Sequence, residues 1–330
     1  MAGLRAAVCT AWGDAASLAI QERPDPELPP GAVRIAVKAA GVNFADTLII
    51  QGKYQLKPDF PFSPGLEVAG EVIETAPDVT RCAAGDRVMA ALDHGGYASQ
   101  VVVPAASVYV LPDGLDWPEA AGFPVTYGTA HVGLDARGGL RPGKVLLVHG
   151  AGGGVGLNAV EVGKAMGAEV IATAGSAAKL DLARERGADH TIDYSTEDIR
   201  DRVKALTDGR GADVVFDPVG GDAFDASLRA IAWGGRLIIV GFAGGRIQDI
   251  PANYLLVKHC SAIGLYWGSY KQHAPEVLDR SYAALFEMYA AGQLKPHVSR
   301  TFPLEDVAAA HAFLLARKST GKVVLTVDGA

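Results

Sequence analysis

Cysteine is scarce in this chain. Its three cysteines, Cys9, Cys82 and Cys260, stand far apart in 330 residues, so no Cys-x-x-Cys pair offers metal ligands and the three cannot all pair with one another. Free thiols in a reducing compartment are expected. Long apolar runs are missing too: none approaches the ~18 residues of a membrane helix, and MAGLRAAVCTAWGDAA has no long apolar segment behind its single Arg5. Basic residues are outnumbered, 30 against 37 acidic, for a formal net charge of -7 and a pI near 5.6. They are scattered singly, with no stripe that could track phosphates. Nucleic acid and membranes are therefore not expected partners, and a soluble cytoplasmic protein is the simplest expectation.

What is present suits a globular enzyme. Hydrophobic residues make up 49% and charged residues 20%, enough apolar material for a large core and too little charge for disorder. The length favours two domains. Residues 1–123 alternate short apolar runs with Gly and Pro (AVRIAVKAAGV, EVAGEVIET, GDRVMAAL), the texture of a compact β unit. Residues 124–270 switch to strands separated by helical stretches: KVLLVHG, AEVIATAG, DHTIDY, ADVVFDPVG, GRLIIVG and SAIGLYW. Six such strands describe a doubly wound parallel sheet, giving an α/β protein. Residues 271–330 are assigned to the first domain, which the final strand GKVVLTVD would complete.

The sharpest motif is VHGAGGGVG, where a buried strand runs through glycines into a helix. In the dinucleotide fingerprint, glycines let backbone N–H groups approach a pyrophosphate at a helix N-terminus. Ala151, Gly153 and Gly156 hold the three spaced positions. The end of the second strand, where NAD sites place an acid, reads TAGSAAK. Without that acid, Ser176 can donate to a 2′-phosphate and Lys179 supplies positive charge, so NADPH is favoured over NADH, with Gly175 a further cofactor-binding position. Ser176 also suits a helix N-cap. Tyr194, just past the third strand, is either an adenosine contact or a surface turn residue, and His149 reads as a packed core histidine.

GVNFADTLIIQGKY, PGLEVAGEV, GDRV, GGYASQVVVP, VHGAGGGVG and TGKVVL follow one another in order. Over essentially its full length the chain resembles the zinc-free quinone oxidoreductases, the zeta-crystallin-like branch of the medium-chain dehydrogenases/reductases. The resemblance implies a GroES-like β-rich catalytic domain beside a Rossmann domain, and hydride transfer from NADPH to a quinone or an α,β-unsaturated carbonyl. An enoyl-thioester reductase is the alternative within the class, and a nucleotide-bound RNA-binding or crystallin-like protein the alternative outside it. It also implies a homodimer joined through the sixth strand, SAIGLYWGSY.

In zinc-dependent relatives the GVNFAD segment carries a cysteine ligand and PGLEVAG carries a histidine ligand. Here Asn43 and Leu66 stand there, and neither replaces thiolate or imidazole, so no metal is expected. The resemblance places Asn43, Asp46 and Tyr54 around the nicotinamide, with Tyr54 the first choice for proton delivery or carbonyl polarisation and an aromatic packed over the cofactor the plainer alternative. A turn or helix cap is the plainer reading of Asn43 and Asp46. Further cofactor contacts are implied at Thr126, Gly152, Gly153, Gly154, Val155, Gly241, Phe242, Ala243, Tyr266 and Trp267, while Arg317 and Lys322 are expected to face solvent. Glu67, an acid in an apolar stretch, is expected to be a structural carboxylate paired with an arginine or backbone N–H groups.

Overall fold

In the computed structural model, which describes residues 4–327, AVRIAVKAAGV becomes the eleven-residue strand Ala32–Val42, alternately buried from Val33 to Ala39 and continuously buried from there to Val42. It is central to a seven-stranded sheet. Glu67–Thr75 pairs antiparallel along one side, followed outward by Arg87–Ala91 and Val108–Val110. Gln100–Pro104 pairs with the first half of the central strand and Lys322–Thr326 with its second half. Val298–Pro303 then runs parallel to Lys322–Thr326. The final strand thus completes this sheet, as its lack of a place in the parallel set implies. Val33, Ile35, Val68, Val88, Val323 and Leu325 form the core.

The registers gather three polar residues. Val323 lies opposite Val42, and Ala40 opposite Val68. One step further along each strand brings Lys322, Asn43 and Glu67 to one end of three neighbouring strands.

The second unit holds the six expected strands: Val145–Val148, Glu169–Ala174, His190–Asp193, Ala212–Asp217, Ile231–Ile239 and Ser261–Gly264. All are parallel, in the spatial order third, second, first, fourth, fifth, sixth. The sixth is an edge strand. The order reverses between the first and fourth strands, where sheets of this kind receive ligands outside the carboxyl ends of the strands.

The division differs from the expected one. The described residues up to Val125 and from Pro296 form one unit, and Thr126–Lys295 the other. Residues 271–295, expected in the first, lie in the second. Helix Pro275–Ala290 buries Leu278, Ser281, Tyr282 and Leu285. The chain beyond it is tied down at Lys295, whose N–H donates to Glu161 and whose carbonyl accepts from Arg186. Glu161, buried, also accepts from Arg186 and from the hydroxyl of Tyr127. Anchors so far apart in sequence leave no local pattern.

Candidate functional sites

In the second unit the strand Val145–Val148 ends at His149, whose ring nitrogens meet the hydroxyls of Thr173 at 2.9 Å and Ser227 at 2.6 Å. Burial lowers its pKa, so it is the core histidine expected. Gly150 turns the chain at φ +61°, a conformation open to glycine. Ala151 donates to the Thr173 carbonyl, and Gly153 caps helix Gly154–Ala165 without a side chain. The first N–H groups of that helix have no partners within it, and its dipole favours negative charge there. A Cβ on Gly156 would collide with the Gly150 carbonyl; the third fingerprint position needs glycine because helix and loop touch.

Two predicted cofactor residues from elsewhere in the sequence meet this region. A Cβ on Gly152 would come 2.6 Å from Cγ of Lys179, and one on Gly175 would come 2.8 Å from the Tyr194 hydroxyl. Lys179 thus lies along the glycine loop, and the Tyr194 ring, half-exposed, lies beside exposed Gly175. Ser176 takes the N-cap position of helix Ala177–Glu185, but its hydroxyl makes no capping hydrogen bond. The N-cap reading holds for position and fails for the hydroxyl. Thr126 is buried and accepts from Asn158 Nδ2 at 2.7 Å. Gly241, Phe242 and Ala243 follow the fifth strand, with Phe242 and Tyr266 exposed, whereas Trp267 is buried over Gly128.

In the first unit Asn43 is the N-cap of helix Phe44–Ile50 and Asp46 its third residue. Asp46 Oδ2 accepts from the Asn43 N–H at 2.8 Å, half of a capping box. Beyond this cap, Asn43 joins a buried ion pair. Glu67, 0% exposed, accepts at Oε1 from Lys322 Nζ at 2.7 Å and from Asn43 Nδ2 at 2.9 Å, and at Oε2 from the Val125 N–H at 2.8 Å. Lys322, expected in solvent, is only 5% exposed and donates also to Val42 O at 3.1 Å and Asn43 Oδ1 at 2.8 Å. The expected partner of Glu67 is corrected accordingly: a lysine, with a carboxamide and one backbone N–H. Arg317 does face solvent.

Glycines make the room. A Cβ on Gly41 would strike the Glu67 carboxylate and approach the Ala121 carbonyl to 2.6 Å, and one on Gly122 would come 2.9 Å from Lys322 Cγ. Leu66 points elsewhere, into an apolar cluster with Cys9, Ile49, Ile50 and Phe62 against which half-buried Tyr54 packs.

Asp46 Oδ2 also accepts from the Tyr97 hydroxyl at 2.8 Å, while Asp46 Oδ1 is buried without a partner. The Tyr97 oxygen lies 3.2 Å from His311 Nε2, and His311 Nδ1 lies 3.0 Å from Thr47 Oγ1. Since Tyr97 spends its one proton on Asp46, Nε2 of His311 carries the hydrogen and Nδ1 accepts from Thr47. Nothing in the sequence links Tyr97, in GGYASQ, or His311, in AAAHAFLL, to Asp46.

Burial pushes the Asp46 carboxyl from 3.8 to about 7, against the pull of the Asn43 N–H, the Tyr97 hydroxyl and the Lys322 charge. Burial also holds His311 down to about 4. From about pH 4 to 7 folded Asp46 keeps a proton that the unfolded chain releases, so stability falls as pH rises. From about pH 4 to 6.5 the unfolded chain binds a proton at His311 that the folded chain lacks, so stability rises. Each slope is about 1.4 kcal/mol per pH unit, and they oppose one another over the shared window. Asp46→Asn should therefore unmask a rise in urea midpoint between pH 4.5 and 6, and His311→Gln a fall. Parallel profiles for the two variants would refute the assignment.

The alcohol dehydrogenase GroES-like domain family matches residues 29–113, and the zinc-binding dehydrogenase family residues 154–282. Quinone oxidoreductase-like protein 2 homolog of Nematostella vectensis is 45% identical over 97% of this chain and 88% of its own length. The quinone oxidoreductase of Escherichia coli, solved in complex with NADPH, superposes with a TM-score of 0.91 at 30% identity, covering 98% of this chain and 99% of that one. The quinone oxidoreductase of Thermus thermophilus, also solved with NADPH, gives 0.87 at 34%, with 98% and 99% covered.

The zinc in one family description does not fit these residues. Asn43 is bound to an ammonium and a carboxylate, Leu66 lies in an apolar cluster, and no group of three or more His, Cys, Asp or Glu that could hold a metal occurs among the described residues. No helix among them is long and apolar enough to cross a membrane.

Proposed function

Because this chain belongs to the zinc-free quinone oxidoreductase branch of the medium-chain dehydrogenase/reductase superfamily, we propose that it is an NADPH-dependent enzyme reducing a quinone or an α,β-unsaturated carbonyl. The observation that carries this reading is the convergence of Lys179 on Gly152, with unspent Ser176 nearby and no acid at the end of the second strand. NADPH, when bound, supplies the hydride. The N–H groups of Gly152, Gly154 and Val155 would hold the pyrophosphate at the helix N-terminus, that of Gly153 being spent on the Gly150 carbonyl. Ser176 donates to the 2′-phosphate, Lys179 neutralises it, and the Tyr194 ring flanks the adenosine.

The acceptor's oxygen gains negative charge as hydride arrives at carbon, and a donor aimed at that oxygen lowers the barrier. Tyr54, half-buried, packs against the apolar cluster that includes Ile49, Ile50 and Leu66, and its hydroxyl is the donor assigned to that oxygen. Asn43, fixed by its cap and ion pair, supplies a second donor. An enone needs a proton to complete its reduction, whereas a quinone spreads charge over its ring and depends less on an acid.

The test is NADPH oxidation with a quinone, an enone and an enoyl-CoA. Turnover with either of the first two is expected, and Tyr54→Phe should lower kcat about 100-fold with the enone and less than tenfold with the quinone. Turnover of the enoyl-CoA alone would replace this reading with an enoyl-thioester reductase. Turnover of none would end it.

A further inference from the structure

The buried contacts of Lys322 decide how Asn43 meets its surroundings. An ammonium has three hydrogens and no lone pair. Here all three are spent, on Val42 O, Asn43 Oδ1 and Glu67 Oε1. A carboxylate paired to that ammonium accepts only, and Glu67 Oε1 faces the other end of the Asn43 carboxamide. An amide is symmetric in shape but not in chemistry. Between a donor-only group and an acceptor-only group it has one orientation, with oxygen to the ammonium and nitrogen to the carboxylate. A flip would set N–H against N–H and O against O around a fully buried Glu67 and a nearly buried Lys322.

The backbone of Asn43 is fixed independently by Asp46, which accepts its N–H. Of its polar hydrogens, one on Nδ2 is left beyond these contacts. We propose that Lys322 is a positioning residue for hydride transfer: its ammonium, with Glu67, fixes the Asn43 carboxamide so that Asn43 offers an N–H donor to an oxygen of the bound cofactor or acceptor. This rests on the proposed function above. The cation acts through orientation and does not itself touch the reacting atoms. The surrounding fold is shaped for this: Gly41 and Gly122 lack the Cβ that would displace Glu67 or Lys322.

A mutant cycle on the full chain tests it, with NADPH dissociation constants from fluorescence and kcat/KM for whichever acceptor the wild type reduces. Asn43→Ala should weaken NADPH binding or lower kcat/KM about tenfold, the worth of one neutral hydrogen bond. Lys322→Met should change the same parameter in the same direction, and adding it to Asn43→Ala should cost nothing more. Should Lys322→Met fail to fold, Glu67→Gln/Lys322→Met, which leaves no unpaired buried charge, should give the same loss, because a glutamine can face the carboxamide with either end. The proposal is overturned if folded variants keep wild-type constants or if the losses multiply. Failure of the function reading looks different: the wild type itself would neither bind NADPH nor turn over.

Discussion

Lys322→Met is expected to cost about 3–5 kcal/mol of stability, read as a lower urea midpoint for the unfolding of the unit that contains it. The loss is large because of what stays behind. Glu67 would remain fully buried with donors from Asn43 and Val125 but without a counter-charge, and an uncompensated charge in low dielectric is far costlier than a missing contact. Glu67→Met/Lys322→Met removes both charges and should recover most of the loss, since apolar replacement of a whole buried pair is often neutral. The pair Arg5–Glu305 provides the contrast: its side chains are 39% and 50% exposed, and breaking it should cost at most about 1 kcal/mol. A loss below about 1 kcal/mol for Lys322→Met, or a double variant as unstable as the single, would show that the pair is not held as described.

That contrast also explains what the sequence discloses. Most of the six parallel strands are legible because they are short apolar runs between turn residues, His190–Asp193 being the exception, and the glycine loop because its spacing has a mechanical cause. The absence of metal ligands at Asn43 and Leu66 is a matter of side-chain chemistry and needs no coordinates. Lys322 is misread because a lysine at the head of an apolar strand looks the same whether its ammonium reaches water or a carboxylate 255 positions away. Its burial follows from register, Val323 on Val42 and Ala40 on Val68, and register is a property of three strands together. Tyr97 and His311 escape notice for the same reason. Residues 271–295 are assigned to the wrong unit because Glu161, in a helix more than a hundred positions earlier, holds Lys295.

Ser176→Asp/Lys179→Ala is expected to reduce the preference for NADPH over NADH, as the ratio of kcat/KM values, by at least about 100-fold. Two physical changes combine. Removing the Lys179 ammonium takes away a charge-assisted contact worth about 1.5–3 kcal/mol, and the new carboxylate repels a 2′-phosphate while accepting from the 2′-hydroxyl of NADH. Discrimination is shifted by repulsion as well as by lost attraction. The fold should tolerate both replacements. Aspartate caps helices as well as serine does, Ser176 is exposed at an N-cap whose side-chain bond is unmade, and Lys179 lies in the first turn of the same helix. An unchanged thermal midpoint with an inverted nucleotide preference would separate recognition from stability. A ratio within threefold of wild type would mean that the 2′-phosphate is held elsewhere, and that the approach of Lys179 to Gly152 serves only to pack the lysine stem against the loop.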